Sequence, residues 1–238
     1  MKIANYLLAA KVDELPIDYK WSVSIGNKFH GATDDDNPKL GKALGLINNK
    51  ASYGLVIAVV EWVIARVSRH IDVSDSLLRV EASWAAMIDK RYARLSSPEA
   101  PDVDKQIAVK GPLWSSVAIM CDCFEEGIEP SDDLGFFDSS ISLAMLGQHV
   151  VGRSPLFKTW LPDTLKRLQQ IAPNIRQPLD DEPPVLREAF DPAGYAPGTE
   201  DALRDAFIAT LDPDRNPYLR PAAELRAEGM ANPYPGKP

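Results

Sequence analysis

The sequence predicts a mainly α protein: an antiparallel, bundle-like single domain with a short N-terminal β-strand or hairpin and a proline-rich, partly ordered C-terminal extension. Between residues 40 and 172, apolar side chains recur at three- and four-residue steps in one segment after another, as in amphipathic helices. Residues 17–30 begin instead with a two-residue alternation. The segment 173–238 holds 12 of the 20 prolines. We therefore expect a helical body, residues 1–172, with an extension, residues 173–238, packed on it.

The N-terminal alternation follows a short helix expected over residues 2–14. Its apolar positions alternate with polar ones over nine residues, which is typical of a half-buried strand. They are Ile17, Tyr19, Trp21, Val23 and Ile25. Gly26 and Asn27 would turn the chain back toward Phe29. Because a lone hairpin is marginal in water, it must pack on the helices or pair with a partner, so its edge is one candidate contact surface.

The most apolar helix is predicted over residues 52–70, where apolar side chains surround nearly the whole helix axis. We expect it at the centre of the core, with Trp62, Trp84 and Trp114 buried around it. Glu61 lies in its middle, and an unpaired buried carboxylate is costly. It must therefore find a partner, reach the surface or take a raised pKa. A catalytic role for Glu61 is the alternative to a paired or surface carboxylate. Arg66 and Arg69 are the nearest cations in sequence.

Caps, glycines and prolines mark the remaining helices. One should begin at Asp72 or Ser74 and run to Leu95. The next has Pro112 in its first turn and stops at Gly127. Ser139 or Ser140 should open another that reaches Gly152. A further segment begins at Ser154 and Pro155, is interrupted at Pro162 and ends near Pro173. In the extension, only residues 199–211 look strongly helical.

Charge is concentrated in the extension. The chain carries a net charge of −8, and residues 173–238 contain 12 acidic and 7 basic residues, a net of −5. Such a surface repels nucleic acid and attracts a basic protein. We therefore expect a protein partner, no nucleic acid and no membrane. The candidate contact residues are Asp180, Asp181, Glu182, Asp201, Asp205, Asp212 and Asp214.

Recognisable catalytic motifs are absent from the sequence. It has no His-Glu-x-x-His, no Gly-x-Ser-x-Gly, no phosphate-binding loop and no Gly-x-Gly-x-x-Gly. Asp34, Asp35 and Asp36 precede Pro38, which favours a loop over a metal-binding helix face. Cys121 and Cys123 point apart on a helix, as expected for buried thiols in a reducing compartment. We expect no cofactor and no metal.

The N-terminus lacks the apolar region of a signal peptide, and the apolar stretch of residues 54–65 is too short to span a bilayer. A cytoplasmic location is expected. Bacterial toxin-immunity proteins, which neutralise a toxin by covering it, share this size, acidity and helix content. Our first hypothesis is therefore an inhibitory, immunity-type protein that covers a basic partner. The alternative is an all-helical, hydrolase-like enzyme that gathers carboxylates from separate helices, with Glu61, Glu125 and Glu126 as candidates.

Overall fold

The computed structural model describes residues 1–104, 106–128, 134–152, 154–175 and 179–236, and this part of the chain is mainly helical, as predicted. Its α-helices are α1 (Asn5–Ala9), α2 (Val23–His30), α3 (Pro38–Leu44), α4 (Asn49–Val67), α5 (Ser74–Ile88), α6 (Ile107–Ile128), α7 (Leu134–Val151), α8 (Pro155–Ile171), α9 (Glu200–Thr210) and α10 (Ala222–Ala227). Four 3-10 helices lie at Val12–Glu14, Lys90–Tyr92, Leu179–Asp181 and Arg187–Phe190. These described ranges contain no β-sheet, only isolated bridges from Ile47 to Pro173 and from Ala93 to Leu219.

Helix α4 forms the centre of the molecule. It packs against α5, α6 and α7, and every residue from Ala51 to Val67 is buried. Asn48 is the N-cap of this helix, since its Oδ1 accepts a hydrogen bond from the backbone N–H of Ala51 at 2.8 Å. The helix thus starts slightly before the predicted Ser52 and ends before His70. Its all-round apolar surface is used on all sides, as expected for a central helix.

The predicted N-terminal strand is wrong. Val23 and Ile25 belong to α2, whose N-cap is Ser22; its Oγ accepts from the N–H of Ile25 at 3.2 Å. Residues 15–21 do alternate between half-buried and exposed positions, but without a strand partner. Side chains from elsewhere in the fold bind backbone carbonyls of this segment instead. Arg66 donates to the carbonyls of Leu15 and Pro16, and the ring of His149 contacts the carbonyl of Lys20 at 2.7 Å.

Two prolines lie inside helices rather than at their ends. Helix α6 begins at Ile107, before Pro112, and α8 continues through Pro162 to Ile171. Each proline removes one intrahelical hydrogen bond, a cost that tertiary packing outweighs here. Helix α7 begins at Leu134, before the predicted Ser139 or Ser140.

Tryptophan burial follows the expectation at two of three positions. Trp62 and Trp84 are 1% and 2% exposed, whereas Trp114 is half-buried and donates its indole N–H to the carbonyl of Pro98 at 2.9 Å. In α6, Ile107–Glu125 is long and apolar enough to cross a membrane, a property that buried core helices share. In this fold α6 packs against α4 and α7. The absence of a membrane partner remains a prediction.

Candidate protein-interaction surface

The C-terminal extension is attached to α4 through an ion pair between buried Glu61 and half-buried Arg187. Arg187 donates from Nε to Glu61 Oε1 at 2.8 Å and from Nη2 to Glu61 Oε2 at 3.0 Å. The indole N–H of Trp84 also donates to Glu61 Oε1, at 2.8 Å. Burial opposes charge on Arg187, but the Glu61 carboxylate more than compensates and raises the pKa of Arg187 above its ordinary value. Glu61 is therefore a paired structural group.

Glu182, one of the predicted contact residues, is 4% exposed and holds the N-terminus of α4. Its two carboxylate oxygens accept from the backbone N–H groups of Asn49 and Lys50 at 3.2 and 2.7 Å. Lys50 Nζ donates in turn to the Glu182 carbonyl at 2.5 Å. A carboxylate is favourable here because the first N–H groups of a helix lack intrahelical partners. The Glu182 carboxylate is thus directed into the protein.

Further contacts hold the extension along its length. Trp160 and Arg167 of α8 donate to the carbonyls of Phe190 and Ala189 at 2.8 and 2.6 Å. Farther along, Asn216 donates from Nδ2 to the carbonyl of Leu78 at 2.9 Å. Near the end, Tyr92 donates its hydroxyl to the carbonyl of Pro233 at 2.7 Å. The segment from 179 to 236 therefore lies along the helical body as an ordered strap.

Helix α9 is an exposed part of the strap. None of its residues is buried, although half-buried Phe207 and Ile208 rest on the core and Leu211, just beyond the helix, is fully buried. Asp201 and Asp205 lie four residues apart and so share a face of the helix. Their side chains are 88% and 70% exposed.

The remaining predicted contact residues are dispersed. Asp214 is exposed beyond α9, Asp212 is half-buried, and Asp181 is exposed at a distance along the chain, in the 3-10 helix before Glu182. The side chain of Asp180 lies outside the described structure. Asp201, Asp205, Asp212 and Asp214 thus lie within one stretch of the chain, residues 199–215, which we call the acidic segment.

The charge of the acidic segment is only partly neutralised. It contains five carboxylates and two arginines, a net charge of −3. Arg204 bridges Asp201 at 2.8 Å and Asp205 at 3.0 Å, and such exposed pairs are weak. Hydrogen bonds from its own backbone and from the Tyr195 hydroxyl hold the pKa of Glu200 below its ordinary value. The segment therefore presents negative charge at neutral pH.

The geometry offers little to the enzyme hypothesis. Groups of three or more His, Cys, Asp or Glu side chains able to hold a metal are absent from the described residues. Among the described residues, a cavity of about 360 Å³ is lined by one carboxylate, Asp89, and another of about 600 Å³ is lined by none. Glu125 is exposed, and the side chain of Glu126 is not described. Neither cavity gathers the paired carboxylates that hydrolysis would need.

Comparisons with known proteins do not name a function: no family model, curated protein or solved structure matches the chain. The acidic segment must therefore be judged on its own geometry. Sequence reasoning found its residues through charge, but it did not separate exposed Asp201 from buried Glu182. It also missed Arg187, because no sequence signal links it to Glu61.

Proposed function

We propose that the protein is a binding module whose acidic segment contacts a basic protein and neutralises it, in the manner of a bacterial toxin-immunity protein. The observation that carries the proposal is the placement of α9. Its Asp201 and Asp205 side chains point into solvent, while the strap around it is fixed to the body at many points. A fixed acidic helix offers a partner a preformed surface, which lowers the entropic cost of binding.

Charge gives such a surface two properties. Exposed carboxylates steer a basic protein toward the helix during diffusion, and they penalise acidic competitors. Phe207 and Ile208 are only half-buried, so the edge of the apolar face of α9 is accessible beside the carboxylates. A contact that combines accessible apolar area with a charged rim is typical of protein interfaces.

The enzyme alternative has weaker support because Glu61, its best candidate for a catalytic residue, is already paired within the protein. Both Glu61 oxygens accept hydrogen bonds, from Trp84 and Arg187, and Glu61 lines neither of the two cavities. A general base needs a proton within hydrogen-bond reach in a plausible substrate position. To act as a base, Glu61 would have to give up its contacts with Trp84 and Arg187. Binding by the acidic segment needs no such rearrangement.

The proposal predicts that a gene next to this one encodes a protein with a basic domain, and that protein is the partner used in the test. The variant is Asp201→Lys, Asp205→Lys and Asp214→Lys. We expect its affinity to fall by about 100-fold, since three favourable charges become unfavourable. We also expect it to lose the ability to protect cells that express the partner. Affinity is measured by calorimetry on the full chain.

The matched control reverses three exposed carboxylates elsewhere, Asp35→Lys, Glu99→Lys and Asp163→Lys, and so changes the net charge equally. It should retain binding and protection. Equal losses in both triple variants would reduce the effect to overall charge and reject the acidic segment as the contact. Absence of binding by the parent chain would reject the proposed function.

A further inference from the structure

The cavity of about 600 Å³ lies between α3, α7 and α8, and none of the described residues that line it belongs to the acidic segment. Its apolar wall includes Phe29 of α2, Leu40 of α3, Met145 of α7 and Leu161 of α8. A volume of this size lies within the range of small-molecule sites, which favour gaps between the helices of a bundle. We call it the α3/α8 groove.

The charged residues of the α3/α8 groove have a single sign. Lys39 of α3 and Lys166 of α8 line it, and the described residues that line it include no carboxylate. The lining is thus positively charged, although the chain as a whole has a net charge of −8. Both lysines are exposed, so their ammonium groups can reach a ligand at the rim while their stems cover the apolar wall.

The walls of the groove are fixed to one another. Gln169 of α8 donates from Nε2 to the carbonyl of Ala43 in α3 at 3.3 Å, which joins the two helices across it. Asn37 caps α3, because its Oδ1 accepts from the N–H of Leu40 at 3.2 Å. The groove is therefore preformed, and a ligand would not have to order it.

We propose that the α3/α8 groove binds a small, soluble anionic amphiphile, with its negative head group between Lys39 and Lys166 and its apolar chain against Phe29, Met145 and Leu161. An apolar wall lined by two lysines favours such a molecule over a neutral or cationic one. This site is independent of the acidic segment, so the two proposals can fail separately.

The probe is 8-anilinonaphthalene-1-sulfonate, a fluorescent anionic amphiphile, titrated onto the full chain. We expect one saturable site from which decanoate displaces it. Decyltrimethylammonium, which has the same chain length and the opposite charge, should displace it at least about tenfold less well. Vesicles of phosphatidylglycerol are the membrane arm of the experiment, and they should not bind the protein.

The variants compare lysines on the same two helices. Lys39→Glu with Lys166→Glu should weaken decanoate binding by about tenfold or more. Lys42→Glu with Lys158→Glu makes the same change in charge at exposed positions outside the groove and should have no effect. Met145→Glu adds a carboxylate to the groove wall and should also weaken binding. Melting curves verify that every variant is folded.

Four results would overturn the proposal. They are equal decanoate affinities in the two double variants, equal displacement by the cationic amphiphile, binding to vesicles but not to decanoate, and displacement of the probe only by an acidic amphipathic peptide. The third would assign the groove to a membrane surface, and the fourth to a protein helix.

Discussion

Glu61 and Arg187 form a partly buried ion pair across 126 positions of sequence, and this pair joins the central helix to the strap. Glu61 is 2% exposed, so its carboxylate must find its hydrogen-bond partners within the protein. Trp84 contributes one hydrogen bond, which cannot replace the positive charge of Arg187. The position of the strap, and with it of the acidic segment, thus depends in part on one arginine.

Arg187→Ala should lower the free energy of unfolding by about 3 kcal/mol, because it leaves a buried carboxylate without its cation. Removing both charges in the double variant Glu61→Met and Arg187→Met should restore part of this loss, since no charge then remains buried. Urea unfolding of the single and double variants measures both values. A loss below about 1 kcal/mol for Arg187→Ala would rank the pair with exposed ion pairs.

The cap formed by Glu182 gives a second prediction. Glu182→Ala removes the acceptor of two N–H groups at the start of α4 and should cost about 1 to 2 kcal/mol. The control, Asp201→Ala, removes a carboxylate that is 88% exposed and should change stability by less than about 0.5 kcal/mol. Thermal unfolding of the two variants compares them, and equal melting temperatures would exclude a capping role.

Replacing Gly54 by alanine tests whether the strap packs on α4, because packing decides whether the change lowers or raises the free energy of unfolding. A Cβ at this position would lie 2.7 Å from Cζ of Phe190, whose ring also packs on Trp84 with centroids 5.5 Å apart. Gly54→Ala should therefore cost about 1 to 3 kcal/mol, as overpacking does. Without Phe190 there, the same change within a helix would stabilise the protein by about 1 kcal/mol.

The matched control is Gly45→Ala, at an exposed position of helical conformation where the new Cβ meets its nearest neighbour at 3.4 Å. It should leave stability unchanged or raise it slightly. Chemical unfolding gives both values, and stabilisation by Gly54→Ala would show that the strap does not pack on α4 through Phe190.

The buried thiols should resist alkylation. Burial raises the pKa of the Cys121 thiol from 9.0 to about 12, against a smaller lowering by Arg79. Because the folded pKa exceeds the unfolded one, the unfolded chain loses the thiol proton at a lower pH than the folded chain does. The contribution of Cys121 to the free energy of unfolding is therefore fully present below about pH 9 and is lost as the pH rises toward 12. At pH 8, iodoacetamide should modify Cys121 and Cys123 only at the rate of unfolding. Rapid modification of the folded chain would contradict their burial.

The sequence predicted the helical class and the central position of α4, since an all-round apolar helix has no other stable location. It predicted residues 199–211 closely, because the amphipathic pattern coincides with α9. The strand failed because an alternating segment is equally compatible with an extended chain whose carbonyls bind side chains. Here Arg66 and His149 provide those contacts, from helices far along the sequence.

The candidate site was predicted only as a set of charges. Composition identified the acidic residues, but it could not tell the exposed ones from the buried ones. Burial depends on tertiary contacts such as that between Glu182 and the N-terminus of α4. The partner of Glu61 was beyond prediction for the same reason. Arg66 is near it in sequence, yet its guanidinium binds the carbonyls of Leu15 and Pro16.

The most direct test of the central claim is the association rate of the full chain with the product of the neighbouring gene, measured at low and high salt. Exposed charges are screened over about 8 Å at physiological ionic strength, so steering by the acidic segment should weaken as salt rises. We expect the parent rate to fall steeply with salt. The variant with Asp201, Asp205 and Asp214 changed to lysine should associate slowly at both salt concentrations. A rate that ignores salt and charge reversal alike would contradict the proposal that the acidic segment is the contact.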